Sequence, residues 1–126
     1  MTECGSPVPI LRIFDEAKAR EFYIDFLGFQ VDWEHRFTDS APLYMQVCLG
    51  NCLLHLSLHL SEHHGDSNPG MRVRIEAADI HGYAKRLADK EYAFAQPGEP
   101  HRMPWGDREM TIIDPFGNRL TFWSGD

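Results

Sequence analysis

Residues 114–123 read DPFGNRLTFW. Asp-Pro-Phe-Gly-Asn is turn chemistry: proline presets one backbone angle, glycine supplies a left-handed one, and Asp and Asn side chains bond nearby amides. The segment after it alternates. Leu120 and Phe122 fall on one face of a strand and Arg119, Thr121 and Trp123 on the other. The preceding stretch REMTIID (108–114) reads as the partner strand of a hairpin.

Working outward, MRVRIEAAD (71–79) reads as a strand ending at a helix N-cap, Asp79. Ile80, Tyr83, Ala84, Leu87 and Ala88 then form an apolar stripe at helical spacing. YAFAQP (92–97) reads as a further short strand. The loop QPGEPHRMPWGD (96–107), with three prolines and two glycines, should be ordered yet free of ladder bonds.

The first half has the same order. PILRIFD (9–15) is a strand, Asp15 an N-cap, and Ala19, Phe22, Tyr23, Phe26 and Leu27 a helical stripe closed by Gly28. QVDWEHRF, LYMQVCL and CLLHLSLHL follow as three strands, the last two joined at Gly50-Asn51. The class is α+β, with two tandem βαβββ modules at about 7–64 and 70–125 in one domain spanning 1–126. SEHHGDSNPG links the halves. The motif LHLS occurs at 54–57 and again at 58–61. On one continuous strand, His55, Ser57, His59 and Ser61 share a face. A local duplication could equally bend the strand, leaving the register open.

The chain has 126 residues, 43% of them hydrophobic, with a formal charge of -7. One buried core is affordable, and an acidic balance argues against nucleic acid, whose phosphates need a basic surface. No run approaches the roughly 18 apolar residues of a membrane span, and MTECGSPVPI lacks a signal pattern, so no membrane partner and a cytoplasmic location are expected. Cys4, Cys48 and Cys52 have no C-x-x-C spacing and are expected to be reduced and mostly buried. No phosphate loop or nucleophile elbow is present.

The paired βαβββ order, the helix end FYIDFLGF (22–29) and the closing DPFGNRL together resemble the glyoxalase, bleomycin-resistance and extradiol-dioxygenase superfamily, the vicinal oxygen chelate fold. The resemblance implies a ligand cleft on the concave sheet. In the enzymes of that family, ligands on inner strands hold a divalent metal. Here those positions fall at Val8, near Met71, at Thr121, and at His59, or at His55 if the duplication shifts the register. One imidazole is too few for such an ion, so no cofactor is expected. A divalent metal remains possible through His55 and His59 on the strand and Glu62 in the linker that also holds His63, His64 and Asp66. Exposed histidines of that kind are also common and inert.

The resemblance points instead to a drug-binding groove. Trp105, followed by Gly106 on a loop, is similar to the tryptophan-glycine pair that stacks on planar drug rings in bleomycin-resistance proteins. Trp33 and Phe37 form an opposite wall, or are ordinary sheet residues. Trp123 lines the groove, or serves as a core or interface aromatic. Arg119 and Glu109 orient the ligand, with Thr121 and His59 nearby. Asp32, Glu34, Asp107 and Glu109 would attract a cation. The resulting expectation is a metal-free homodimer whose partner is a planar, cationic small molecule, as in bleomycin-type antibiotic resistance. The alternative is a metal-dependent, glyoxalase-like lyase or isomerase with an atypical histidine site.

Overall fold

The computed structural model describes residues 2–59 and 70–125. Its elements are β1 (Ile10–Ile13), α1 (Glu16–Arg20) continuing as a π-helical stretch through Glu21–Phe26, β2 (Gln30–His35), β3 (Tyr44–Leu49) and β4 (Cys52–Leu58). The second half holds β5 (Arg72–Glu76), α2 (Ile80–Asp89), β6 (His101–Arg102), β7 (Arg108–Ile113) and β8 (Arg119–Ser124). They form two four-stranded sheets, ordered β1-β4-β3-β2 and β5-β8-β7-β6. Each sheet has one parallel pair at the inner edge and antiparallel pairs beyond it.

The expected caps are in place. The Asp15 carboxylate accepts from the Lys18 amide at 3.0 Å, and Asp79 accepts from the Gly82 amide at 3.1 Å. Each satisfies an amide that the first helical turn leaves without a partner. Gly28 closes the first helix at φ +92°, a backbone region other residues rarely adopt. The π geometry was not legible: residues 22, 23, 26 and 27 fit either helix type, and only the Leu27 amide donating to the Phe22 carbonyl at 2.9 Å tells them apart.

Two expectations are corrected. Residues 92–97 form no strand, and the outer strand of the second sheet is instead His101–Arg102, inside the loop expected to lack ladder bonds. His101 pairs with Glu109 and Arg102 with Arg108. Proline-rich flanks hid a two-residue strand whose existence depends on its partner, not on its own pattern. The thiols also differ: Cys4 is exposed, and Cys48 and Cys52 are half-buried. Ser61, Glu62, His63, His64 and Asp66 lie outside the described residues.

Alternation in β4 holds from Leu54 to Leu58, with the leucines buried and His55 and Ser57 on the open face. Leu11, Ile13, Met45, Val47, Leu54 and Leu56 pack with Phe22, Tyr23 and Phe26, all essentially without solvent contact. Ile75, Met110, Ile112, Leu120 and Phe122 do the same with Ile80, Ala84 and Leu87. Each large side chain so buried contributes about 1.5–3 kcal/mol.

Among the described residues no ladder joins the two sheets, and side chains connect the halves instead. Tyr23 donates its hydroxyl to Asp114 at 2.6 Å, and Asn118 donates to the Asp114 carboxylate at 2.7 Å and to the Arg12 carbonyl at 3.0 Å. Asp114 also takes the Phe116 and Asn118 amides, at 2.8 Å each, which closes the turn. Burial raises the Asp114 carboxyl above its ordinary value, against the lowering effect of these donors. From the other side, Tyr83 donates to the Leu27 carbonyl at 2.7 Å and Lys90 to the Asp25 and Phe26 carbonyls at 2.9 and 2.6 Å. Tyr92 stacks on Phe26 and donates to Glu21 at 2.7 Å. Gly70 lies against the turn so closely that a Cβ there would overlap the Gly117 carbonyl. Among the described residues no helix is long and apolar enough to cross a membrane.

Candidate functional site

Both sheets turn one face to the helices and leave the other open. On the first, Trp33 lies nearly parallel to Tyr44, with ring centres 6.1 Å apart, and edge-on to His55 at 5.3 Å. Trp33 keeps 42% of its surface exposed. Behind these rings runs a hydrogen-bonded chain. Tyr44 Oη lies 2.8 Å from His55 Nδ1, His55 Nε2 lies 2.9 Å from Gln46 Oε1, and Gln46 Nε2 donates to Asp32 at 2.9 Å. The carboxylate can only accept, so the Gln46 amide points its NH₂ at Asp32 and its oxygen at His55. His55 then carries its proton on Nε2, and Nδ1 accepts from Tyr44. The chain fixes an imidazole tautomer and the tilt of a phenol on the face of the sheet.

Cys48 also donates to Asp32, at 3.2 Å. The Gln46 hydrogen bond, followed by that of Cys48, holds the Asp32 carboxyl below its usual value. The same Asp32 contact pushes the Cys48 thiol up, and burial pushes up that of Cys52. A protonated thiol is a poor nucleophile, so neither cysteine is equipped for covalent chemistry.

The open face of the second sheet is charged. Arg74 meets Glu109 at 2.7 Å and Asp107 at 3.6 Å, and its guanidinium lies over Trp123, 5.6 Å from the ring centre. Glu109 and Asp107, expected to await a cationic ligand, are therefore already neutralising an internal one. Glu34 is corrected too: it binds Arg20 of α1 at 2.6 Å, because alternation sends it to the face opposite Trp33. Of the four carboxylates, Asp32 bonds only uncharged groups among the described residues, Gln46 and Cys48.

The remaining residues are dispersed. Thr121 bonds Thr111 at 2.9 Å, and Arg119 stands on the open face beside Arg72. Trp105 sits at the tip of the β6–β7 hairpin, 62% exposed, where the Met103 amide donates to the Asp107 carbonyl and Gly106 takes φ +106°. Phe37 lies beyond β2, 87% exposed and edge-on to His35. The rings of Trp33, Trp105 and Trp123 make no ring contact with one another among the described residues.

The strand register bears on the repeated LHLS. Ile10 lies five residues before the cap Asp15, and Arg74 five before the cap Asp79. Ile10 pairs with His55 and Arg74 with Thr121, so His55 occupies in the first module the place of Thr121 in the second. His59 follows the end of β4, with its ring nitrogen 3.1 Å from Ser57. These residues do not fit a metal: Val8 and Thr121 supply no ligand of the required kind, and both ring nitrogens of His55 are engaged. Among the described residues no group of three His, Cys, Asp or Glu side chains converges.

Tyr44, Gln46, Arg72 and Arg74 were missed from sequence. Counting outward from the Gly50-Asn51 turn pairs Gln46 with His55, and this signal was available. Arg74 was not findable that way, since its partner Glu109 lies 35 residues along the chain.

A family described as "Glyoxalase superfamily protein" matches residues 4–125. The bleomycin-binding protein from bleomycin-producing Streptomyces verticillus, complexed with copper(II)-bleomycin, is 26% identical, with all of both chains covered and a TM-score of 0.76. TnmS3, an antibiotic binding protein from Streptomyces sp. CB03234, is 22% identical over 99% of this chain and 100% of that one, with a TM-score of 0.69. A superfamily member from Sphaerobacter thermophilus is 21% identical over 96% of this chain and 98% of that one, at 0.71. No curated protein matches the sequence significantly.

Proposed function

The chain belongs to the glyoxalase superfamily, and on that footing we propose that it is a small-molecule-binding protein that sequesters a planar, cationic, drug-like ligand of the bleomycin type. The observation that carries this reading is the Trp33–Tyr44–His55 surface, aromatic, open and backed by hydrogen bonds to Asp32. A planar ring stacked there gains about 0.5–1.5 kcal/mol beyond the area it buries. Asp32 supplies the negative charge for a cation at the rim, and the exposed Trp105 on its hairpin offers a further ring for stacking. Binding of this kind keeps a drug from its target without chemistry, which suits a site with no activated nucleophile. The same reading makes the protein a homodimer.

Titration with bleomycin, followed by tryptophan fluorescence, tests the proposal. Trp33→Ala and Trp105→Ala are each expected to weaken binding tenfold or more, and unchanged affinity in both would sink it. The second reading, a metal-dependent lyase or isomerase with an atypical histidine site, is tested by metal content after equilibration with zinc, nickel, manganese and ferrous iron. One tightly held ion per chain would favour the enzyme.

A further inference from the structure

We propose that Arg72 and Arg119 form an oxyanion subsite, which takes a carboxylate, sulfonate or phosphate group carried by the aromatic ligand. The inference rests on the binding function proposed above and adds a second recognition element to it.

Arg72 and Arg119 are directly paired on β5 and β8, both exposed on the open face. Like charges placed opposite each other across a sheet destabilise it. Among the described residues neither guanidinium has a carboxylate partner, in a chain whose formal charge is -7. The next arginine on the same strand face shows the contrast: Arg74 is met by Glu109 and Asp107, which leaves those two acids committed. The positive field of the Arg72–Arg119 pair is thus not cancelled locally, and two planar forks side by side match the oxygens of an anion.

The surroundings suit an aromatic body bearing that anion. A depression of about 310 Å³ is lined by Ile10, Arg12, Phe14, Met71, Phe116 and Asn118. Its volume lies at the small end of the usual ligand range. Its lining includes Met71 and Asn118, the chain neighbours of Arg72 and Arg119. Ile113, paired with Arg119 and 49% exposed, extends the apolar surface on the far side.

The test compares two fluorescent probes with nearly the same aromatic body, anilinonaphthalene sulfonate and its uncharged analogue phenylnaphthylamine. Wild-type protein is expected to bind the sulfonate at least tenfold tighter, with a preference that falls as salt is raised. In the Arg72→Gln/Arg119→Gln variant the two affinities should converge to within twofold, through weaker sulfonate binding alone. Arg72→Lys/Arg119→Lys, which keeps the charge and loses the fork, should retain part of the preference. Equal affinities in the wild type, or a preference that survives the glutamine variant, would overturn the subsite and leave the binding function standing. Failure of both probes to bind would overturn the subsite, while the bleomycin titration decides the binding function separately.

Discussion

The first sheet presents an aromatic face backed by Asp32 and the second a face of arginines and paired acids, although both halves run through the same order of strands and helix. At equivalent places stand Ile10 and Arg74, and His55 and Thr121. The helix-packed faces differ much less, since both are built on leucine, isoleucine and methionine, with valine added in the first and phenylalanine in the second. The contrast separates two demands on one scaffold. Packing sets what lies under a sheet, while the open face tolerates a histidine relay in one half and an arginine cluster in the other. The halves also differ in weight: α1 and its π extension bury Phe22, Tyr23 and Phe26, whereas α2 buries Ile80, Ala84 and Leu87.

That asymmetry makes Phe22→Ala the sharpest way to break the comparison. It should cost about 3–5 kcal/mol, with Leu87→Ala at the lower end of about 2–5, and urea denaturation should show one transition in each. A separate second transition would mean that the halves unfold independently. Tyr23→Phe comes next, because it removes a hydrogen bond to a buried carboxylate across the junction; a loss of about 1.5–3 kcal/mol is expected in the same experiment.

The helix caps should be alike where the faces are not. Asp15→Ala and Asp79→Ala are each expected to cost about 1 kcal/mol, and a large inequality between them would show that one helix leans more heavily on its first turn. The smallest effect is a pH dependence. Burial first, then the Glu21 contact, pushes the Tyr92 phenol up to about 12, and burial raises Tyr83 as well. The unfolded chain releases these protons first, near the ordinary phenol value of about 10. The contribution is therefore complete below about pH 10 and is lost as pH rises toward 12. Tyr92→Phe should flatten the alkaline limb of a stability profile, and an unchanged limb would remove Tyr92 from the junction.

Most of the fold was legible because it rests on local signals. Caps at Asp15 and Asp79, the stripes behind them, and the alternation of Leu120 and Phe122 with Arg119, Thr121 and Trp123 depend on neighbours within a few residues. What was hidden depends on distant partners. The strand at His101–Arg102 exists because β7 is there to receive it, and the π stretch is set by which carbonyl an amide finds. The site divides in the same way. Trp33 and His55 could be nominated one at a time, while their joining through Tyr44, and the capture of Glu109 by Arg74, needed the register. Composition suggested an acidic groove, and pairing changed the meaning of that surplus: Glu34, Asp107 and Glu109 are already matched.

The close approach of Gly70 to the closing turn has a consequence for how such a chain can drift. Its neighbour in space is backbone, the Gly117 carbonyl and the Asn118 amide, which no change of side chain can move aside. A side chain at position 70 therefore forces either residue 70 or the turn to shift, and a shift of the turn would carry Asp114 and its bond from Tyr23 with it. Substitutions on the open faces leave that contact untouched, whereas any side chain at position 70 meets backbone.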